Sequence, residues 1–138
     1  MEKIMIKNLL ALALLCSVFN SCLATATPAS DALSSQYKSA GAKDSDIERG
    51  KKLWQQEVKS KDNKVLSCGT CHGSDLSKSG KHRTTNKVIE PMAFSANQER
   101  FTDEKKIEKW FKRNCNDAWG RECSAQEKGD ILKYLLSL

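Results

Sequence analysis

Apolar residues recur at helical spacing in three stretches of this chain, and in each stretch a capping signal marks where the helix begins. Ser45-Asp46-Ile47-Glu48 reads as a capping box, and Ile47, Gly50, Trp54 and Val58 share one face of the helix that follows. Thr102-Asp103-Glu104 opens a second helix, with a hydroxyl cap and two acids favourable at the positive end of the dipole. Ile107, Trp110 and Phe111 form its apolar face, and Lys112 and Arg113 suit its last turn. Ser124-Ala125-Gln126-Glu127 is another capping box, before a last helix with Ile131, Tyr134, Leu135 and Leu138 inward. Gly129 is unfavourable inside that helix unless another backbone approaches it closely, and Gly50 of the first helix is the expected partner.

The remaining stretches lack such periodicity. Residues 27–43, rich in Ala, Ser and Thr, read as a flexible linker. Residues 60–67 are polar and read as a loop; residues 73–98, with Gly73, Gly80, Asn86 and Pro91, read as a longer one. No segment alternates as a strand would. The pattern predicts an all-α domain over residues 44–138, large enough for one modest core.

The N-terminus has a different character. Lys3 and Lys7 precede an apolar run from Leu9 to Phe19, and Ala24-Thr25-Ala26 supplies the small residues of a signal-peptidase site. The run is short for a membrane span, so residues 1–26 read as a signal peptide cleaved near Ala26, and the protein as periplasmic without stable membrane insertion. A lipoprotein site at Cys22 is the rival reading, disfavoured by Phe19 and Asn20 just upstream.

Between the first and second helices stands Cys68-Gly69-Thr70-Cys71-His72, the spacing of covalent c-type haem attachment. Each thiol adds across one vinyl group, its hydrogen going to the neighbouring vinyl carbon, and the adjacent imidazole becomes the proximal iron ligand. A zinc site would want a second ligand pair, and a redox dithiol a surrounding βαβ pattern; neither is evident. The chain has six cysteines. Cys16 and Cys22 leave with the leader and Cys68 and Cys71 are used by haem c, so Cys115 and Cys123 remain. In an oxidising compartment a disulfide is the simplest use for them, two free buried thiols being the alternative.

The formal net charge is +6, interleaved with acids. It fits docking to an acidic redox protein and equally a well-solvated surface, and no nucleic-acid module is visible.

Helix, haem motif, intermediate helix and final helix, in that order over residues 45–138, resemble a class I cytochrome c. Such a protein usually takes its sixth iron ligand as Met from the loop before the last helix. Here that loop, residues 114–123, holds neither Met nor His. Met92 and His82 are the alternative ligands, with Met92 otherwise a core residue and His82 otherwise facing solvent or a haem propionate.

Pro91-Met92-Ala93-Phe94-Ser95-Ala96-Asn97, Glu99-Arg100-Phe101-Thr102-Asp103, Lys109-Trp110-Phe111-Lys112-Arg113-Asn114-Cys115 and Gly120-Arg121-Glu122-Cys123 are similar to the sphaeroides haem protein family. That resemblance implies one covalent haem c, with His72 and Asn114 on the ferric iron and a disulfide between Cys115 and Cys123. It also implies that Asn114 leaves on reduction, opening the iron to oxygen or nitric oxide. Asn97 and Asn116 are rival amides, and a helix C-cap is the other role for Asn114. The implied function is one-electron transfer, with other cytochromes as electron donors and small diatomic ligands as partners. A plain six-coordinate electron shuttle and a gas-binding carrier or sensor are the alternatives. Consumption of oxygen or nitric oxide is permitted by the resemblance and not required by it.

Overall fold

The computed structural model describes residues 26–59 and 63–138, and the leader, with Cys16 and Cys22, lies outside them. The architecture is all-α, with helices α1 (Pro28–Ser39), α2 (Ile47–Gln55), the single turn α3 (Gly69–His72), α4 (Glu104–Trp119) and α5 (Ala125–Leu136). Two antiparallel ladders of two residues per strand interrupt the loops: β1 (Val58–Lys59) with β2 (Val65–Leu66), and β3 (Gly80–Lys81) with β4 (Val88–Ile89). They are too short to leave an alternating pattern, which is why none is visible in the sequence.

Residues 28–39 are a helix and not a flexible linker. Thr27 and Ser30 form a reciprocal capping box and Pro28 occupies the first turn, where its missing N–H costs nothing. Ala29, Leu33 and Tyr37, four residues apart, are buried against α4 and α5. Tyr37 donates to Glu108 of α4, whose other oxygen accepts from Lys128 Nζ of α5 at 2.6 Å. An Ala- and Ser-rich composition thus hides a narrow apolar stripe that the rest of the domain covers.

Helices α2 and α5 make the main crossing. Asp46, not Ser45, caps α2 by accepting from Arg49 N at 2.8 Å. The two glycines do not face one another. A Cβ on Gly50 would lie 2.1 Å from the Asp130 carbonyl oxygen and 2.7 Å from Tyr134 Cβ; one on Gly129 would lie 2.6 Å from Ser45 Oγ. Each glycine therefore admits a different part of the other segment. The crossing also encloses Asp130, 1% exposed, which accepts from Arg49 Nε at 2.9 Å and from Asp46 N at 2.7 Å. A buried carboxylate is tolerable only with such partners. Trp54, Ile131, Leu132 and Leu135 complete this part of the core, whereas Ile47 and Leu138, expected inward, are exposed.

Helix α4 is longer than its sequence signals indicate. Asp103, not Thr102, is its N-cap, and the helix runs past Arg113 to Trp119, where Gly120 in the left-handed region (φ 69°) stops it. Buried Ile107, Phe111, Cys115 and Trp119 keep one stripe facing the core throughout. Cys115, in the last turns, is joined by a disulfide to Cys123 just before α5, with Cα atoms 5.7 Å apart.

Candidate functional site

A cleft holding about 1060 Å³ of empty space, its open mouth included, lies between the segment that carries His72 and helix α4. Cys68, Cys71 and His72 line it from one segment, and Met92 and the β3–β4 hairpin add to its wall. Trp110, Phe111, Asn114, Cys115, Ala118 and Trp119 line it from α4, at the spacing of one helical face.

The His72 segment is set by local packing. One helical turn brings Cys68 and Cys71 together as half-buried free thiols, and Gly73 in the left-handed region (φ 78°) ends the turn. Strand β3 lies directly on this turn. A Cβ on Gly80 would stand 2.3 Å from the Cys71 carbonyl oxygen and 2.7 Å from His72 Cα, so only glycine lets the two backbones touch. Leu76 accepts from the backbone N–H groups of both Met92 and Ala93 at 2.9 Å, tying the 91–93 segment to the chain just past His72.

The electrostatics suit metal ligation. Burial, then the nearby Arg100 charge, pushes the His72 imidazole down to about 4, so the ring is neutral at physiological pH, the form that binds a metal. Burial pushes the Cys68 thiol up to about 11. Arg100 itself donates to the carbonyls of Pro91 and Glu90 at 3.0 Å and lies 5.0 Å over the Trp110 ring, joining the 90–91 chain to α4. Trp54 covers His72, with ring centroids 5.2 Å apart.

Three buried side-chain polar atoms lack a hydrogen-bond partner among the described residues: Trp54 Nε1, His72 Nδ1 and Trp119 Nε1. All three residues line this cleft. Unpaired buried donors cost about 1–3 kcal/mol each, so their concentration here marks walls that the polypeptide alone does not complete. With two free thiols, a neutral imidazole and largely apolar walls, the residues fit a covalent haem. No cluster of three or more His, Cys, Asp or Glu side chains able to hold a metal ion occurs among the described residues.

The candidates for a sixth ligand separate cleanly. Asn114 is half-buried in the middle of the apolar face of α4, lines the cleft, and makes no side-chain hydrogen bond among the described residues. It is therefore not a helix C-cap. Asn116 is turned outward, its Nδ2 donating to the Lys112 carbonyl at 2.6 Å, and Asn97, before the 3-10 turn Gln98–Phe101, is not part of the cleft wall. Met92, 2% exposed, and His82 both line the cleft. His82 Nδ1 accepts from the backbone N–H groups of Thr84 and Thr85 at 3.4 and 3.2 Å. Nδ1 is thereby an acceptor, and the ring is held by its own turn.

Sequence reasoning missed the continuous cleft-lining face of α4, although Trp110, Phe111, Asn114, Cys115, Ala118 and Trp119 follow helical spacing and Gly120 supplies the stop. It also missed Trp54 as the cover of His72, for which no local signal exists.

A family model described as "Domain of unknown function (DUF1924)" matches residues 40–135. Over 99 residues the chain is 42% identical to the cytochrome c-type protein SHP of Cereibacter sphaeroides, a span covering 72% of this chain and 76% of that protein. The structure of oxidised SHP, described as an oxygen-binding cytochrome c, aligns with a TM-score of 0.71 and 40% identity over 79% of this chain and 96% of the other. The solution structure of cytochrome c'' from Methylophilus methylotrophus, described in terms of haem-ligand detachment, aligns with a TM-score of 0.67 and 32% identity, over 79% and 93% of the two chains.

Proposed function

This chain belongs to the family of c-type cytochromes that includes SHP and has their all-α cytochrome c fold, and on that premise we propose a periplasmic one-electron carrier whose sixth iron position opens on reduction. The haem, when bound, supplies a one-electron couple and an iron centre able to take a small diatomic ligand. Cys68 and Cys71 hold it covalently and His72 is the proximal ligand, its ring fixed under Trp54. Asn114 is the sixth ligand in the ferric state. Its amide oxygen is a hard, weak donor, which would hold ferric iron adequately and ferrous iron poorly.

The observation that carries this reading is the place of Asn114: an unpartnered amide at the centre of the helix face lining the cleft that also contains His72. Such a residue is a poor choice for a helix interior unless it has a task there. Helix α4 continues for more than a turn beyond Asn114 and is tied at Cys115 to Cys123, so the backbone that would present the amide is restrained. A bound haem from which Asn114 had released would offer its iron to oxygen or nitric oxide; the SHP structure is described as that of an oxygen-binding protein. Other cytochromes act as electron donors.

Met92 also lines the cleft, which supports a second reading as a plain shuttle with a thioether ligand in both oxidation states. Optical spectra of the ferric and dithionite-reduced protein, with and without carbon monoxide, separate the two. The proposal predicts a ferrous spectrum that shifts at once on adding carbon monoxide. A low-spin ferrous spectrum indifferent to carbon monoxide would establish the shuttle instead.

A further inference from the structure

The β3–β4 hairpin presents the cleft with a turn of distinctive chemistry. His82 N donates to the Lys87 carbonyl at 2.8 Å and Asn86 N to the His82 carbonyl at 2.9 Å, with Asn86 in the left-handed region (φ 55°). This closes a tight loop whose first residues, His82, Arg83 and Thr84, line the cleft. Gly80 seats the base of the hairpin on the Cys71–His72 backbone, so the turn has a fixed position relative to the attachment motif.

The His82 ring is oriented by its own turn. Backbone N–H groups can only donate, so Nδ1, which receives those of Thr84 and Thr85 and lies 3.0 Å from Thr85 Oγ1, is an acceptor. The remaining ring N–H, at Nε2, is left for a partner. Next to it stands Arg83, the one permanently cationic side chain among the described residues lining the cleft, and then the Thr84 hydroxyl. Of the other polar groups on the wall, Asp117 repels an anion and Thr70 Oγ1 is already engaged by Ser67 N at 2.9 Å, while the unpaired Trp54 Nε1–H and Trp119 Nε1–H are neutral donors that offer no balancing charge.

A haem carries two carboxylates on the edge away from its vinyl groups. In a largely apolar cleft each needs donors or a cation, because an unpaired buried carboxylate is costly. The vinyl edge belongs at Cys68 and Cys71, so the carboxylates fall to another part of the wall. We infer that the turn His82–Arg83–Thr84 is the seat of the haem carboxylates, with His82 Nε2–H donating to one and Arg83 balancing their charge. This rests on the reading of the cleft as a haem site. It gives His82 the role of positioning residue, and it makes the hairpin a means of raising the reduction potential: neutralising anions near the iron favours the ferrous state.

The test uses the isotopically labelled, haem-loaded protein, reduced and saturated with carbon monoxide, a diamagnetic state suited to NMR. The inference predicts the Nε2–H tautomer for His82 and nuclear Overhauser contacts from His82 and Thr84 to the propionate methylene protons. It further predicts that Arg83→Gln and His82→Phe each lower the midpoint potential, while Lys109→Gln on the exposed side of α4 leaves it unchanged. An Nδ1–H tautomer, contacts confined to the thioether edge or the iron-bound ligand, or an equal shift in all three variants would overturn it. Absence of covalent haem by pyridine haemochrome would instead overturn the underlying haem reading and the inference with it.

Discussion

Gly80→Ala is the sharpest test of how the attachment motif is held. The added Cβ would stand 2.3 Å from the Cys71 carbonyl oxygen, 2.7 Å from His72 Cα and 3.1 Å from the His72 carbonyl carbon. All three are backbone atoms, and ordinary contact begins more than half an ångström beyond even the longest of these distances except the last. No side chain can swing aside, so strand β3 must separate from the turn or the Cys71–His72 peptide must shift. Overpacking of this kind costs about 1–3 kcal/mol, and rigid backbone on both sides puts it near the upper end. The lower entropy of the unfolded alanine variant returns about 0.4–1 kcal/mol, because Gly80 lies outside the left-handed region. The net loss is about 2 kcal/mol, close to a thirtyfold fall in the folded-to-unfolded ratio. Gly69→Ala is the control: it sits in the same motif, but its nearest neighbour is Ser67 Oγ at 3.6 Å, so stability should hold or rise slightly. Equilibrium urea unfolding of the haem-loaded proteins, followed by circular dichroism and tryptophan fluorescence, measures both. A Gly80→Ala protein within about 0.5 kcal/mol of the parent, or a Gly69→Ala protein equally damaged, would refute the reasoning.

Leu33→Ala should cost about 2–4 kcal/mol in the same assay, because Leu33 is 1% exposed; a loss below about 0.5 kcal/mol would remove α1 from the core. Replacing Cys115 and Cys123 together by Ser should cost about 2–3 kcal/mol, and the parent, denatured without reductant after haem loading, should show neither thiol reactive. Glu127 accepts from Arg121 and from Ser124 N, which hold its carboxyl at about 2 instead of the ordinary 4.5. With the folded value depressed, its contribution is present above about 4.5 and lost as pH falls toward about 2. Glu127→Gln should therefore cost about 0.5–1 kcal/mol at pH 6, discounted for its partial exposure, and the gap should close as pH drops through that window. A gap independent of pH would contradict the assignment.

What was legible in the sequence and what was not follows from the range of each interaction. The haem motif, the apolar faces of α2, α4 and α5, and the cap of α5 are short-range patterns and can be read directly. Helix α1 was hidden because Ala29, Ser30, Leu33 and Tyr37 make a stripe of mostly small residues, recognisable only by its spacing and the Thr27-Pro28 start. The far end of α4 was hidden because Asn114, Asn116 and Asp117 are loop formers by propensity. Burial of Cys115 and Trp119 overrides that propensity as far as Gly120. Asn114 is consequently a mid-helix residue, not the first residue of a loop. The Asp130 network and the Trp54 cover of His72 depend on contacts between distant segments, for which a single sequence holds no local sign.

The most direct test of the central claim is the ferric absorption spectrum of Asn114→Val, beside the parent, before and after adding cyanide or imidazole. The account predicts haem still covalently attached, with a ferric spectrum changed toward an open or water-bound iron and added ligands taken up faster than by the parent. A ferric spectrum and ligand uptake identical to the parent's would show that the sixth ligand is another residue, and the reduction-gated site would go with it.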